Sequence, residues 1–412
     1  MNTTTNRWLA TLATVTVLVG AAGCSTKADD DAGSGSGDVK TGRGVKGTTI
    51  TVGSLTDLTG PFAALGTDFT NAQALYWQER NAGDKVCGTY TVKEKVKDYG
   101  YDVQKGVQLY SSIREDVLAM EQVIGSPLNA SLSEQYDADK MVNIPGAWAQ
   151  ALTEDPQNAL VGATYEVEMI NALNYVLDQG LISDGGTLGH IYFEGEYGEG
   201  GLGGSTYFAK KHDMKLVEVQ IQPTDTDMTA AVTKLAAEGV DAIAITTGPT
   251  QTASIAGVAA AAGLDVPLVG NNPTYFPGLL DTPAGPALLK NMYVASPVNT
   301  FDAAPDLLKR YQKKFKKVPT IGAVFGYASA DVMRQILDKA CEDGDLTPAG
   351  VTKAKEEMGT VKTGGLAVPV KFAVGKSSSD SVFILRPADV PGGAKAATKL
   401  YTSKDASAFI KG

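Results

Sequence analysis

Histidine is nearly absent from this sequence. His190 and His212, 22 positions apart, are the whole supply, and only three cysteines accompany them. Two scattered histidines without a C-x-x-C pair assemble no convincing zinc site. The signatures G-x-S-x-G, S-x-x-K and H-E-x-x-H are missing as well, so nothing here asks for covalent or metal-assisted catalysis. Positive charge is also scarce: Lys+Arg 36 against Asp+Glu 46 gives a net charge of −10. An acidic surface repels nucleic acid and argues against that class of partner. The apolar run Trp8–Gly23 has sixteen residues, whereas a membrane-spanning helix needs about twenty. No repeat of solenoid period occurs.

That apolar run is nonetheless the most informative segment. Arg7 precedes it, the small residues Ala21-Ala22-Gly23 close it, and Cys24 opens a stretch with almost nothing hydrophobic. This is the layout of a bacterial secretory signal with a lipoprotein cleavage site. Residues 1–23 are therefore expected to be removed and Cys24 to carry lipid. The alternative is an ordinary signal peptide whose cysteine is incidental. Loss of Arg7 alone takes the charge from −10 to −11. Ser25–Gly47, rich in Gly, Ser and Asp, cannot bury enough apolar surface to fold, so residues 24–47 read as a flexible tether. Roughly 365 residues remain, more than one core organises, which predicts two domains. Cys87 and Cys341 are left over. In an oxidising compartment an even remainder invites a pair, the alternative being two separately buried thiols.

From Thr49 onward, apolar strands alternate with amphipathic helices. The strands fall at Ile50–Leu55, Tyr90–Val96, Val117–Ile124, Leu188–Phe193, Leu216–Ile221, Asp241–Thr246 and Pro267–Val269. The pattern implies an α/β fold with parallel sheets and helices on both faces. In such folds ligands bind beyond the carboxyl ends of the strands. Those positions are Thr59–Gly66, Gly125–Ser131, Pro145–Trp148, Glu194–Gly198, Thr246–Thr250 and Asn271–Tyr275. Few are charged and several are bulky or aromatic, which suits a small organic ligand better than a phosphate.

Three motifs compete for attention. Gly198-Glu199-Gly200-Gly201-Leu202-Gly203 fits the dinucleotide fingerprint, with Glu218 at the distance expected of a ribose-binding acid. It would make the chain a nicotinamide-dependent enzyme. However, the motif lies in mid-chain, carries extra glycines and belongs to an exported protein, where such cofactors are scarce. The plainer reading is a strand–helix turn that binds nothing, and no cofactor is expected. Gly375-Lys376-Ser377 imitates the end of a P-loop, but Val370 stands where the first glycine is required. The basic segment Lys309–Lys317 reads as a solvated helix face with Leu307, Leu308, Tyr311 and Phe315 turned inward.

The run ITVGSLTDLTGPFAALG (Ile50–Gly66) resembles the start of a branched-chain amino-acid-type periplasmic binding protein, the type I solute-binding protein of ABC importers. The likeness continues through Val123–Ser131, Asn143–Thr153, Asp225–Ile243 and Ala261–Asn272, and covers about Thr49 to Gly375. It implies two Rossmann-like lobes joined by three crossings near Thr164–Glu166, Ser296–Pro297 and Gly364–Pro369. Lobe 1 would be 48–165 plus 297–365, and lobe 2 would be 166–296 plus 366–412. It also implies that Cys341 returns to the lobe of Cys87, where the two would form a disulfide.

The ligand-binding positions implied by the resemblance are Phe62, Leu65, Asn129, Ser131, Ala147 and Trp148 in the first lobe. Tyr165 and Glu166 belong to the first crossing, and Tyr197, Thr250 and Asn272 to the second lobe. Two departures bear on the ligand. Trp148 stands where amino-acid binders carry a small hydroxyl residue, and Asn272 stands where they carry an acid for the ligand ammonium. An unpaired buried ammonium costs several kcal/mol, which argues against a simple amino acid unless Glu166 takes over that role. Trp148, projected by the Pro145-Gly146-Ala147 turn, would offer a flat apolar face to the ligand. The resemblance therefore implies a monomeric, lipid-anchored extracytoplasmic protein that performs no catalysis and binds no metal. It would hand a small organic ligand to an ABC permease and ATPase complex. A sensor lipoprotein of the same fold reporting to a signalling partner is the alternative.

Overall fold

The computed structural model describes residues 39–411. The signal segment, Cys24 and the tether up to residue 38 lie outside the described residues. The chain begins with β1 (Lys40–Thr41), β2 (Val45–Lys46), β3 (Thr49–Thr56), α1 (Ala63–Ala82), β4 (Thr91–Asp98), α2 (Val103–Ile113), β5 (Ala119–Ile124), α3 (Ser126–Asp139) and β6 (Asn143–Gly146). It continues with α4 (Tyr165–Asp178), β7 (Thr187–Phe193), α5 (Glu196–Lys211), β8 (Lys215–Ile221), α6 (Thr229–Ala237), β9 (Ala242–Thr246), α7 (Pro249–Ala261), β10 (Leu268–Gly270), α8 (Gly285–Asn291) and β11 (Met292–Ser296). The last part holds α9 (Pro305–Phe315), α10 (Gly322–Glu342), β12 (Asp345–Leu346), α11 (Pro348–Glu357), β13 (Phe383–Pro387), β14 (Ala394–Ala396) and α12 (Lys404–Lys411).

Two larger sheets organise these elements. One runs β2-β3-β5-β6 with β4 on β3, and the other runs β14-β13-β11-β10-β9-β7-β8. Their central strands are parallel and buried along their length; β9 is apolar up to Thr246, whereas β5 buries Glu121 and Gln122 among its apolar residues. The edges differ from the all-parallel expectation, because β2, β13 and β14 pair antiparallel. The tether also ends earlier than expected. Lys40–Thr41 pairs with Asp345–Leu346, and Val45–Lys46 with Thr49–Ile50. The cause lies at Gly44, whose φ is +76° and where a Cβ would meet Leu118 N at 2.1 Å. Only glycine permits this turn, and the backbone bonds it allows fix a polar segment that composition alone reads as spacer.

Helices α9, α10 and α11 return to the first sheet, where α10 lies along α1. Phe69 packs edge-on against Phe325 at 4.7 Å and Tyr76 against Tyr327 at 4.9 Å. Gly326 lets the helices close, since a Cβ there would meet Phe69 O at 2.2 Å. The disulfide between Cys87 and Cys341, 254 positions apart, ties the end of α10 to the turn before β4. A link closing so long a loop contributes about 2–5 kcal/mol. The chain passes between the two sheets three times, and the crossings are bonded to one another. Thr164 N–H donates to Ser377 Oγ at 2.9 Å, Asn299 N–H to Leu366 O at 2.8 Å, and Val368 N–H to Pro297 O at 2.9 Å.

Candidate functional site

Loops at the carboxyl ends of strands from both sheets surround a cavity of about 340 Å³. Pro61 and Phe62 follow β3, Tyr101 follows β4 and Pro127 follows β5. From the second sheet come Phe193–Tyr197 after β7, Pro223 and Thr224 after β8, and Gly248–Gln251 after β9. Half of the lining residues are proline or aromatic, and the charged residues among them, Glu194 and Glu196, are both acidic. Burial, helped by Glu199, pushes the Glu196 carboxyl above its ordinary value. Two further cavities differ in kind. One of about 230 Å³ lies between Lys355 and Phe372–Ser378, and an open groove of about 640 Å³ lies among Pro277–Asp281, Lys317–Thr320 and Ala388–Gly393. Neither combines strand ends of both sheets with aromatic walls.

Local chemistry explains how each wall is held. The Asp57 carboxylate accepts from Gly60 N–H at 2.5 Å and Phe62 N–H at 2.9 Å, which folds the Thr-Gly-Pro turn and sets Phe62 at the mouth of the cavity. Phe62 lies 5.0 Å from the ring of Tyr101. Gly125, at φ +89°, leaves room for that ring, because a Cβ would lie 2.7 Å from Tyr101 Cε2. Tyr197 donates to Thr247 O at 3.2 Å and meets Tyr165 at 4.9 Å between ring centroids.

Of the residues singled out in the sequence, Phe62, Tyr197 and Thr250 line this cavity. Tyr165 and Trp148 lie behind that wall, each 3% exposed, whereas Asn272, 8% exposed, lines a separate cavity of about 20 Å³ with Tyr275, Val294 and Ile321. Trp148 is not a free flat face. Its indole packs edge-on against Phe325 at 4.8 Å and Tyr165 at 6.1 Å, and its Nε1–H donates to Val161 O at 3.1 Å. Ala147 is fully buried, and Leu65 sits against Gly322 at the start of α10. Asn129 turns inward, donating to Val123 O and Gly125 O at 2.8 Å each, while Ser131 is exposed and bonds Pro127 O on its own helix. These four are not brought to the cavity.

Glu166 stands at the start of α4 beside Gly200, with its carboxyl raised by burial and held down in part by Thr164. Two further residues matter here: Glu168, which the sequence reading passed over, and Asn271, which it placed beyond a strand end without assigning it to the ligand. Glu168 is fully buried, accepts Asn272 N–H through Oε2 at 3.0 Å, and is pushed well above the ordinary carboxylate range by burial. Asn271 is fully buried too, and neither of its side-chain polar atoms has a partner in the protein. Tyr101 was missed because the charged alternation of β4 runs two residues past Val96, which moves its carboxyl end to Asp98.

The competing motifs resolve on geometry. Gly198–Gly203 lies inside α5, and its glycines serve close packing. A Cβ would meet Phe193 O at 1.8 Å from Gly198 and Thr246 Oγ1 at 2.0 Å from Gly201. His190 is fully buried against Thr246 Oγ1 at 3.0 Å and pushed down to about 3 by burial, while His212 bridges Asp184 and Asp405. Among the described residues no group of three or more His, Cys, Asp or Glu could hold a metal ion. Ser377 belongs to the crossings, and α9 buries Leu307 and Tyr311 while its lysines face solvent.

A family described as periplasmic binding protein has a sequence model that matches residues 49–381. Among solved structures, a fatty acid ABC transporter substrate-binding protein from Thermomonospora curvata is 38% identical with a TM-score of 0.87, covering 92% of this chain and 98% of its own. A branched-chain amino acid ABC transporter protein from Thermus thermophilus with bound valine shares the fold at 18% identity and TM-score 0.76, covering 88% and 99%. So does a solute binding protein from Rhodopseudomonas palustris BisB5 in complex with 3,4-dihydroxy benzoic acid, at 18% and 0.73, covering 87% and 99%. No curated protein matches the sequence.

Proposed function

The chain belongs to the periplasmic binding protein family, and from that premise we propose that it captures an elongated apolar monocarboxylic acid, of the fatty-acid kind, for an ABC importer. The family's matched members are substrate-binding proteins and not enzymes. The observation that carries the ligand class is the cavity itself, whose proline and aromatic walls match an aliphatic chain. The name of the 38% identical relative points the same way. In this reading, residues 48–165 plus 297–365, joined by the strands of Lys40–Lys46, form one lobe and 166–296 plus 366–412 the other. Ligand closes them about the three crossings, giving the permease and ATPase a state to recognise. The protein acts as a monomer outside the cytoplasm, held to the membrane by lipid on Cys24.

Calorimetry with carboxylic acids of increasing chain length tests the ligand class. Each added methylene is expected to contribute about 0.8 kcal/mol until the cavity is filled. Valine or 4-hydroxybenzoate binding in preference to every aliphatic acid would overturn it. For the anchor, Cys24→Ala is expected to move the protein from the membrane to the soluble fraction. Retention equal to wild type would remove the lipoprotein reading.

A further inference from the structure

Two segments joined by the Asn272 N–H to Glu168 Oε2 bond carry buried polar atoms that the protein itself leaves unsatisfied. Glu168 Oε1, Asn271 Nδ2 and Oδ1, and Asn272 Nδ2 have no hydrogen-bond partner. Their residues are 0%, 0% and 8% exposed. A buried polar atom without a partner costs about 1–3 kcal/mol, so four of them on three residues tied together by one backbone hydrogen bond and one peptide bond point to something that completes them. Tyr197 connects this cluster to the cavity. It lines the cavity and also lies within electrostatic reach of Glu168, as does its ring partner Tyr165.

The bonding pattern fixes what the cluster offers. Glu168 Oε2 already accepts Asn272 N–H, so it plays the carbonyl part of the carboxyl group. A proton on Glu168 then belongs on Oε1, the oxygen without a partner. Burial favours that protonated form, and the other charged group acting on Glu168 is the like-charged Glu166 of the same helix, with no lysine or arginine in opposition. The unsatisfied set thus consists of one O–H donor, two amide NH₂ donors and one amide acceptor.

We propose that Glu168, Asn271 and Asn272 form a charge-neutral receptor for the carboxylate head of the ligand, with Glu168 donating a hydrogen bond through Oε1 instead of presenting a negative charge. The inference rests on the apolar-acid reading above, whose aliphatic chain the cavity would hold. It stands against the opposite possibility, that the acids of α4 await an ammonium group. A ligand amide is accepted as well, its oxygen by the donors and its NH₂ by Asn271 Oδ1. A ligand ammonium, which brings only donors, is rejected.

The test is calorimetry on the natively exported protein with octanoate, octanamide and octylammonium, which share one chain and differ only in the head. Octanoate and octanamide are expected to bind, with octylammonium at least tenfold weaker. Raising the pH until Glu168 ionises is expected to weaken octanoate and leave octanamide less affected, because only the carboxylate then faces a like charge. Glu168→Gln keeps a neutral donor in place. It is expected to hold octanoate within about threefold and to abolish its alkaline loss. Tighter binding of octylammonium overturns the receptor while leaving the apolar-chain reading standing. Loss of octanoate binding by a folded Glu168→Gln protein does the same. Binding of none of the three ligands overturns both.

Discussion

Two buried glutamate sites in this molecule look alike and behave differently. Glu121 on β5 and Glu168 on α4 are both fully buried and both pushed well above the ordinary carboxylate range by burial. Glu121 has its needs met from within. Its Oε2 accepts the Trp77 indole N–H at 2.7 Å, and its carboxyl lies within hydrogen-bonding reach of Glu94 on β4. The Oε1 atoms of Glu94 and Glu121 have no other partner, and one proton shared between the two carboxyls would satisfy both. Around the pair stand Lys314 of α9 and Trp77 and Gln73 of α1, and Gln73 donates to Glu121 O at 3.2 Å and to Ser329 Oγ of α10 at 3.4 Å. Glu168 has a backbone N–H on one oxygen and nothing on the other. An unsatisfied atom with its complement at hand is structural, whereas unsatisfied atoms on residues bonded to one another and left without partners call for a ligand.

The largest effect should come from dismantling the self-sufficient site. Trp77 is 2% exposed, so Trp77→Ala should cost about 3–5 kcal/mol in urea unfolding, from lost aromatic burial and a stranded Glu121. Next comes pH. Glu94 is pushed from its ordinary value of 4.5 up to about 7, mainly by burial. Between those values the folded state holds more protons than the unfolded chain. The stabilisation is therefore complete below the unfolded value and lost as pH rises through about 7. Thermal unfolding across that window should show the decline, and Glu121→Gln should flatten it.

Glu168→Gln, by contrast, exchanges one neutral group for another and should change stability at neutral pH by less than about 1 kcal/mol. A loss as large as that of Trp77→Ala would erase the distinction between the two sites. Ser131→Ala sets the floor. It lies on the exposed face of α3, and ligand affinity should stay within about 0.5 kcal/mol of wild type in calorimetry.

Much of this was legible in the sequence. Period-2 and period-3.6 patterning marked the central strands and most helices, and the rule that ligands sit beyond strand carboxyl ends found Phe62, Tyr197 and Thr250. What stayed hidden depended on distant parts of the chain. The Pro145-Gly146-Ala147 turn shows where Trp148 leaves the strand, but Phe325, far along the sequence on α10, decides that its ring is covered. Glu168 lies on a helix buried nearly all round, so no polar stripe announces it. Its importance comes from a backbone N–H contributed by the turn after β10. Lys40–Lys46 looked like tether because the strands that fix it lie elsewhere, at Asp345 and Thr49.

The central claim, that Glu168 carries a proton and offers it to the ligand, is open to one direct measurement. Difference infrared spectroscopy of the free and octanoate-bound protein at neutral pH reads protonated carboxyl groups through their C=O stretch. The account predicts one such band that shifts on binding, disappears in Glu168→Gln and persists in Glu121→Gln. Ligand-free protein in which Glu168→Gln removes only an ionised-carboxylate band would contradict it.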